Sequence, residues 1–492
     1  MSNFLTGETV VDSITIVNAE NEAVDITNLV SSLDLFEGID QPFVSGRISV
    51  IDSLNIIDEY KINGQESCTI RYRVKRGTTD FSGGKEQVEK TFRIYKVDTI
   101  RQYNDKTYTY VLRMADPKFF TAERVRVSKV HRGSYAEILL QTLQNEAQFD
   151  ELPAADQTDF WETTEPGNIQ FISPNYTIKE FIKYCTRNAN KDSKAVYKNG
   201  MFFYQTLLGG FKFMSIDTML KDLEFPLTFS HIPRTQDLEQ EEIDQDSEFG
   251  QGTTILSFKH DKRANILEGV RTGGYSGTQL VYDPVRKLEK TVTFDLKKNF
   301  DEKGSKHLSG FPPIRFTEDS ETTRRAEDMI LDDEPIEVTP IQAELPLNED
   351  YLIGGYLEHK VNHTNAYSDS AKLQDDSQFV GNEYLDNAEL ERNALQHALN
   401  SNVVFLEIPA RTDLFPGVVI NVSLPSGGVD SFENVLNDGK YLITQIRHTI
   451  VPIDSKGVMS LRCVKESYAD KFENQKLLKD YEGPRAPEKG EV

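Results

Sequence analysis

Strict alternation of apolar and polar residues is the feature that most constrains the fold of this chain. In the run "SCTIRYRVK" four apolar side chains, Cys68, Ile70, Tyr72 and Val74, alternate with polar ones. A period of two places successive side chains on opposite faces of a strand, so one face can be buried and the other solvated. The run "KTYTYVLRM" repeats the pattern, and "FVSGRISVID" supplies another strand. Several short strands at this spacing predict an antiparallel β-barrel or sandwich.

Three further strands are predicted near the other end of the sequence. In "ARTDLFPGVVINVSL" (residues 410–424), Pro416 and Gly417 favour a turn, after which "VVINVSL" alternates as a strand. "GKYLITQIRHTI" and "GVMSLRCVKESY" are strand candidates that could pair with it. No nucleophile, metal ligand or phosphate-binding loop accompanies the first of these runs.

Helices are predicted between the two sets of strands. "SYAEILLQTLQNEA" opens with Ser134 and has Glu137 three residues later, and "TIKEFIKYCTRNA" has Thr177 and Glu180 in the same positions. This spacing is the capping box, in which the two side chains satisfy each other's backbone N–H groups at a helix start. "NAELERNALQHALNS" predicts a further helix before the closing strands.

The chain is strongly acidic, with a formal net charge of −24 over 492 residues. Sequence-independent nucleic-acid binding requires Lys and Arg to neutralise phosphates, so the charge disfavours it. Solubility alone could account for the acidity. The run "DLEQEEIDQDSEF" (237–249) is almost wholly acidic and polar, which is typical of a solvated loop or a disordered stretch.

Other bulk properties narrow the class of protein. The length allows two to four domains, each with its own core. No stretch approaches the roughly 20 apolar residues that span a bilayer, so we expect no membrane insertion. The three cysteines, Cys68, Cys185 and Cys463, lie far apart, which favours buried, reduced thiols in a cytosolic setting.

The sequence offers no specific signal for a catalytic, cofactor or metal site. His359 and His363 have the spacing of a helical zinc pair, but the Glu of a metalloprotease helix does not follow the first His. "RTGGYSG" lacks the spacing of a nucleotide-binding loop. Ser134 lies near His131 without a nucleophile elbow, so capping explains that serine better. We therefore expect a protein that is not an enzyme and that holds neither cofactor nor metal.

The order of these features is more specific than any one of them. "LFEGIDQPFVSGRISVIDSLNIIDEYKINGQESCTIRY" (35–72) resembles the N-terminal barrel of the central baseplate hub protein of T-even-type contractile phages. "DPKFFTAERVRVSKVHRGSYAEILLQTL" and "TIKEFIKYCTRNA" resemble its passage from the first barrel into helices. "ELERNALQHAL", "LFPGVVINV" and "GKYLITQIRH" resemble its closing module. Type VI secretion spike proteins and other tail hubs share this outline, and the segment from about 237 to 380 departs from it.

The resemblance implies an α+β, mainly β fold: two tail-tube-like antiparallel β-barrels with inserted helices and an extra middle domain. The implied divisions are 1–116 as the first β-barrel, completed by about 215–262; 117–214 as the α/β part of the second barrel module; 263–385 as an acidic, loop-rich middle insertion; 386–475 as the second β-barrel; and 476–492 as a disordered tail.

The resemblance also implies a function. A homotrimer would present six barrels in a pseudo-hexameric ring and so join a six-fold tail tube to a three-fold spike. The implied partners are a second and third copy of the chain, the tail tube or a tube-initiator protein, the trimeric spike and the tape-measure protein, and wedge proteins could be a further partner. DNA would pass through the ring only in transit. The implied location is the baseplate of the virion tail, after assembly in the host cytoplasm.

Two sets of residues are candidates for contacts in such a ring. The loop 76–88 is a candidate for contact with a tube ring, through Arg76, Asp80, Phe81 and Lys85; an ordinary exposed hairpin loop is the alternative. The acidic run could line the channel, where carboxylates repel DNA phosphates over about 8 Å, or could face outside. Its candidate residues are Asp237, Glu239, Glu241, Glu242 and Asp244.

Three other functions are compatible with parts of the pattern. A spike-associated cell-wall hydrolase would lyse peptidoglycan. Another tail subunit, such as a tube initiator or a spike, would assemble differently; a spike usually continues into a long repetitive β-helix, which is not seen after residue 470. A carbohydrate-binding fibre module would bind glycans and form no short ring.

Overall fold

The structure, a computed structural model, describes residues 8–74, 87–104, 106–150, 152, 160–165, 167, 169–191, 200–231, 253–262, 266–283, 288–296, 300, 307–310, 357–361, 388–424 and 438–468. The mainly β fold that the sequence predicts is confirmed, because one sheet of 13 strands runs through much of this described chain.

Seven strands near the start of the chain form a first module. They are β1 (Thr9–Val17), β2 (Ala23–Asp25), β3 (Val30–Gly38), β4 (Ser45–Asp52), β5 (Ser67–Val74), β6 (Gln87–Asn104) and β7 (Thr107–Ala115), with a short helix α1 (Ile56–Glu59) between β4 and β5. Their order in the sheet is β3-β4-β7-β6-β5-β1-β2, with every neighbour antiparallel. The alternation in β5 has the predicted effect, since its four apolar side chains are buried.

Residues 117–215 form an α/β block with a core of its own. Its elements are α2 (Pro117–Arg124), β8 (Arg126–Val127), β9 (Val130–Gly133), α3 (Tyr135–Asn145), β10 (Ile169–Ile172), β11 (Tyr176–Thr177), α4 (Ile178–Asn188), β12 (Met201–Thr206) and β13 (Gly210–Ser215). Both predicted capping boxes are confirmed. Ser134 and Thr177 each accept a hydrogen bond from the backbone N–H of the Glu three residues on, and that Glu accepts one from the cap backbone.

The rest of the described chain returns to β-structure around a middle segment. Its elements are α5 (Ile216–Asp222), β14 (Glu224–Ser230), β15 (Ser257–Lys262), α6 (Ile266–Thr272), β16 (Ser276–Asp283), β17 (Leu288–Asp295), β18 (Leu357–Val361), α7 (Ala388–Ser401), β19 (Val403–Pro409), β20 (Val419–Ser423), β21 (Gly439–Val451) and β22 (Lys456–Val464). β16, β17 and β18 make a separate three-stranded sheet. The strand predicted after Pro416 is confirmed as β20, and Gly417 provides the positive φ of 96° that its turn requires.

Six of these strands form a second module that repeats the topology of the first. Their order is β15-β19-β22-β21-β20-β14. If β14 takes the place of β1, β15 of β3, β19 of β4, and β20 to β22 of β5 to β7, both modules have the order 3-4-7-6-5-1. Every neighbouring pair keeps its direction except the last, because β14 runs parallel to β20 whereas β1 runs antiparallel to β5.

In each module, backbone hydrogen bonds also link the first strand to the segment just before the third strand. In the first module Ile26, just before β3, donates its backbone N–H to the carbonyl of Ile14 in β1 at 2.9 Å. In the second module the segment just before β15 contacts β14, since Ser230 donates to Thr253 at 3.2 Å and accepts from Ile255 at 2.7 Å. Within the described residues these bonds bring the first and third strands of each module together, although the strand pairings themselves do not form a closed barrel.

One part of the sequence prediction is wrong in its partner strands. We expected residues 215–262 to complete the first barrel, but β14 pairs with β20 and β15 pairs with β19, both in the second module. The physical reason is continuity: an apolar core joins Phe229 and Ile255 to side chains of β19, β20, β21 and β22. The other division boundaries stay predictions.

The buried side chains fall into separate clusters that match these parts. One fills the first module, one the second, one the α/β block, and one joins α5, α7 and the middle strands to the second module. All three cysteines are free and buried as predicted, and burial raises the pKa of the Cys68 thiol to about 12. None of the helices that the structure describes is both long enough and apolar enough to cross a membrane.

The cap of α4 gives a direct stability test. We expect Thr177→Ala to lower the free energy of unfolding by about 1 kcal/mol, because the capping hydroxyl accepts the backbone N–H of Glu180. Thr186→Ala, on the same helix, is the matched control. Its hydroxyl donates back to the carbonyls of Ile182 and Lys183 in the preceding turn, so this change is expected to be neutral or slightly stabilising. Urea unfolding followed by circular dichroism measures both, and equal losses would contradict the capping role.

Candidate assembly site

The candidate functional site is the joint between the two modules, which is made by the long strand β21. Residues 439–442 of β21 pair with β20, and residues 445–450 pair on the same edge with residues 33–38 of β3. Between these stretches the register against β22 shifts at Thr444, where a β-bulge is inserted. A bulge bends a strand and increases its twist. One strand therefore belongs to the second module in its first half and extends the sheet of the first module in its second half.

A buried carboxylate holds this joint together. The side chain of Asp34 on β3 is only 3% exposed. It accepts hydrogen bonds from Arg447 Nε at 2.9 Å, Arg47 Nε at 2.7 Å and Thr449 Oγ1 at 2.7 Å. Both guanidinium groups lie over the ring of Phe36, at 5.8 Å from its centre for Arg47 and 6.0 Å for Arg447. Burial alone raises the pKa of Asp34, but the bonds from Arg447, Arg47 and Thr449 outweigh it, so the pKa lies below its usual value.

A second carboxylate connects the joint to the α/β block. Glu37 Oε1 lies 2.9 Å from His448 Nε2 on β21, and Glu37 Oε2 accepts the backbone N–H of Leu207 at 3.0 Å. Glu37 and His448 are both buried. The turn after β12 is thus fixed to the same two strands that join the modules, so the three parts of the chain meet at one point.

The corresponding place in the first module has no strand on its outer edge in the described chain. β6 is the counterpart of β21: residues 87–93 pair with β5 on one edge, and residues 93–104 pair with β7 on the other. A β-bulge shifts the register at Tyr95, the position that corresponds to Thr444. We call residues 95–104 the β6 edge. Three of its apolar side chains are exposed to solvent: Tyr95, Ile100 by 56% and Tyr103 by 80%.

The third strand of the second module has an open edge as well. β15 is the counterpart of β3 and pairs with β19 on one side. Past the bonds between β14 and residues 253–255, none of the described strands pairs with its other side. We call Ser257–Lys262 the β15 edge. Its Lys259 side chain is exposed, and Leu256 just before it is 40% exposed.

The described residues offer no comparable candidate for a metal or catalytic site. Among the described residues no group of three His, Cys, Asp or Glu could hold a metal ion. Lys212 is buried, and burial lowers the pKa of its amine to about 8, a value seen in nucleophilic lysines. Its Nζ lies 3.4 Å from the ring centre of Phe160 and 3.8 Å from that of Phe415. A cation held between two rings is explained by packing of the α/β block against the second module.

The residues that the sequence singled out lie outside the described residues. These are Arg76, Asp80, Phe81 and Lys85 between β5 and β6 in the sequence, and Asp237, Glu239, Glu241, Glu242 and Asp244 between β14 and β15. Both sets stay predictions. Residues 425–437, the corresponding connection between β20 and β21 in the second module, also lie outside the described residues.

Sequence reasoning missed the residues that make the joint. The sequence patterns single out neither Asp34 nor Glu37, and Arg447 and His448 are ordinary polar positions of the predicted strand "GKYLITQIRHTI". A usable signal was present in the charges, since Asp34 and Glu37 lie on buried faces of β3 and each requires a partner.

Comparisons with known proteins give similar tail-associated structures at low similarity. No protein-family model matches this sequence, and no curated protein matches it. The tail protein of Neisseria meningitidis MC58 is 10% identical, covers 92% of this chain and 96% of its own, and has a TM-score of 0.44. The 43 kDa tail protein of prophage MuSo2 from Shewanella oneidensis is 9% identical, covers 92% and 98%, and has a TM-score of 0.49.

A third structure belongs to a secretion machine. An Escherichia coli component of the type VI secretion system, described as similar to two tail proteins of bacteriophage T4, is 9% identical, covers 90% of this chain and 76% of its own, and has a TM-score of 0.38. At these identities and TM-scores none of the three assigns a role to this chain.

The Asp34 cluster predicts a large effect from a small substitution. We expect Asp34→Asn to lower the free energy of unfolding by about 2 kcal/mol, because it removes the charge that two arginines and a threonine surround. Asp12→Asn is the matched control, since Asp12 pairs with the exposed Arg73 at 2.7 Å and should cost less than about 1 kcal/mol. Urea unfolding curves compare them, and a control loss as large as the Asp34 loss would count against the joint.

The same cluster predicts a dependence on pH. A carboxyl whose pKa is lower in the folded than in the unfolded protein stabilises fully above the unfolded value and loses this as pH falls through the folded value. The difference in unfolding free energy between wild type and Asp34→Asn should therefore stay constant from pH 7 to about pH 5 and shrink below that. Urea titrations at stepped pH measure it; a difference that already shrinks between pH 8 and 6 would point to another group.

Proposed function

We propose that the chain is a structural subunit of a phage tail or a related contractile injection machine, and that it acts as a homotrimeric baseplate hub. The hub joins the six-fold tail tube to a three-fold spike. The observation that carries the proposal is the repeat of one strand order, 3-4-7-6-5-1, in two modules of the same chain.

The repeat supports the proposal through symmetry. Rings mate best when their rotational repeats match. Three chains that each present two modules of the same topology offer six similar surfaces to a six-fold ring, while the chains themselves remain related by a three-fold axis. The joint at Asp34 supports it further, because its hydrogen bonds and ion pairs fix the two modules relative to each other.

The partners follow from this role. The tail tube or a tube-initiator protein would contact one side of the ring and the trimeric spike the other, with wedge proteins outside. The tape-measure protein and then DNA would pass through the ring. We propose that acidic residues such as those at 237–249 face this channel, where they would repel phosphates. An inner wall that is neutral or basic in the assembled ring would exclude that role.

The oligomeric state tests the proposal. We expect purified full-length protein to elute as a particle of about 168 kDa by light scattering, three times the 56.0 kDa of the chain. Negative-stain microscopy should show a ring of six similar densities around a hole. A protein that stays monomeric at micromolar concentration, or in its native particle, would contradict the hub proposal. A six-copy ring would favour a tube initiator, and a lysis band on a peptidoglycan gel would favour the hydrolase.

A further inference from the structure

The described chain has two open strand edges, and pairing them would repeat the joint between β21 and β3 with the modules exchanged. We infer that neighbouring copies join head to tail, with the β6 edge of one chain paired to the β15 edge of the next. This inference rests on the proposed trimer and names the surfaces that form it. Its occupant is a second copy of this chain.

The joint inside the chain is the template for this contact. There the sixth strand of the second module, β21, pairs antiparallel with the third strand of the first module, β3. The same pairing in the opposite sense would join the sixth strand of the first module, β6, to the third strand of the second module, β15. Within one chain these two edges are not paired with each other in the described sheet. A neighbouring chain can supply each of them.

The registers of the two joints correspond as far as Asp98, after which β6 has one extra residue before Arg101 that β21 lacks. Arg447 lies opposite Ser460 in the second module, and Asp98 lies opposite Val111, the counterpart of Ser460, in the first. Asp34 lies opposite Arg47 in the first module, and Lys259 lies opposite Phe405, the counterpart of Arg47, in the second. Asp98 thus corresponds to Arg447, and Lys259 corresponds to Asp34.

The charges at these corresponding positions are exchanged. Inside the chain an acid on the third strand, Asp34, pairs with a base on the sixth strand, Arg447, at 2.9 Å. Between chains a base on the third strand, Lys259, would meet an acid on the sixth strand, Asp98. At this one position the charges stay complementary although both signs are reversed, and Asp98 also pairs within its own chain with Lys96 at 2.7 Å and with Arg113 at 2.6 Å. Complementary charges across an interface fix register and reject wrong partners.

Exposure on the β6 edge supports the same pairing. The part of β21 that pairs with β3 has every second residue buried, namely Ile446, His448 and Ile450. The β6 edge instead carries the exposed Tyr95, Ile100 and Tyr103. An open strand edge with apolar side chains is a ready surface for strand addition from another chain.

The geometry of the contact gives it a direction. β6 and β15 belong to different modules, so each chain offers one edge forward and the other backward. Such a heterologous contact produces a closed ring or an open filament, never an isolated symmetric pair. Blocking either edge should therefore stop the ring, and two chains blocked at opposite edges should still make one contact.

Two edge variants and a control test this in the full-length protein. The β6-edge variant is Ile100→Lys with Tyr103→Lys, and the β15-edge variant is Leu256→Glu with Lys259→Glu. All four side chains are exposed, so the substitutions should change the stability of the isolated chain little. The control is Ile172→Lys with Leu208→Lys, two exposed apolar residues of the α/β block. Circular dichroism and urea unfolding verify that each variant folds.

We expect the control to elute with wild type as a trimer and each edge variant to elute as a monomer, with the trimer fraction reduced at least tenfold. An equimolar mixture of the two edge variants should give a particle of about 112 kDa, twice the mass of one chain, and no trimer. The dimer forms because the β15-edge variant still has a native β6 edge and the β6-edge variant still has a native β15 edge.

The outcomes separate this inference from the proposed function. If both folded edge variants remain trimeric, the edge pairing is wrong and the trimeric hub stands. If they become monomeric but do not dimerise on mixing, the two edges are not partners and the inference is overturned. If wild type itself is monomeric, the proposed function fails first and the inference fails with it.

Discussion

The architecture depends on one strand that is shared between two sheets. β21 begins in the second module beside β20 and ends in the first module beside β3, and its bulge at Thr444 marks the change. Because the buried Asp34 side chain bonds to Arg447 and Thr449 on this strand, separating the modules would leave a buried carboxylate with only one of its two cations, Arg47. That cost is of the kind that makes buried ion pairs strongly destabilising to break. The relative placement of the modules is thus a property of one strand rather than of a flexible linker.

Local pattern predicted the elements but not their partners. Period-two alternation correctly placed β5, β7, β20, β21 and β22, and the Ser-x-x-Glu and Thr-x-x-Glu spacings correctly placed the starts of α3 and α4. Alternation fixes which face of a strand is buried, but it carries no information on which distant strand lies alongside. The pairing of β3 with β21, and the parallel pairing of β14 with β20, were therefore outside the reach of the sequence. This is why residues 215–262 were assigned to the wrong module.

The candidate site was harder to predict than the fold, for a related reason. The loop residues from Arg76 to Lys85 attract notice because they are polar and lie between two clear strands. The β6 edge attracts none, because the register shifts between Asp98 and Arg101 break the alternation and make "KVDTIRQYN" look like a loop. The β6 edge is recognised as a possible contact surface only when β6 is compared with β21, its counterpart in the second module. An internal repeat of topology, without repeat of sequence, can be recognised from strand order and bulge position alone.

The two modules differ most in one connection. Between their third and fourth strands the first module uses only residues 39–44, whereas the second uses residues 263–402, which carry α6, α7 and the separate sheet of β16 to β18. In a closed arrangement of three chains this outgrowth would stand at alternate positions around the circumference. Six-fold regularity would then coexist with a three-fold decoration on the same rim. Because each chain would carry one such segment, a trimeric neighbour could bind at three equivalent positions on a surface of six similar modules.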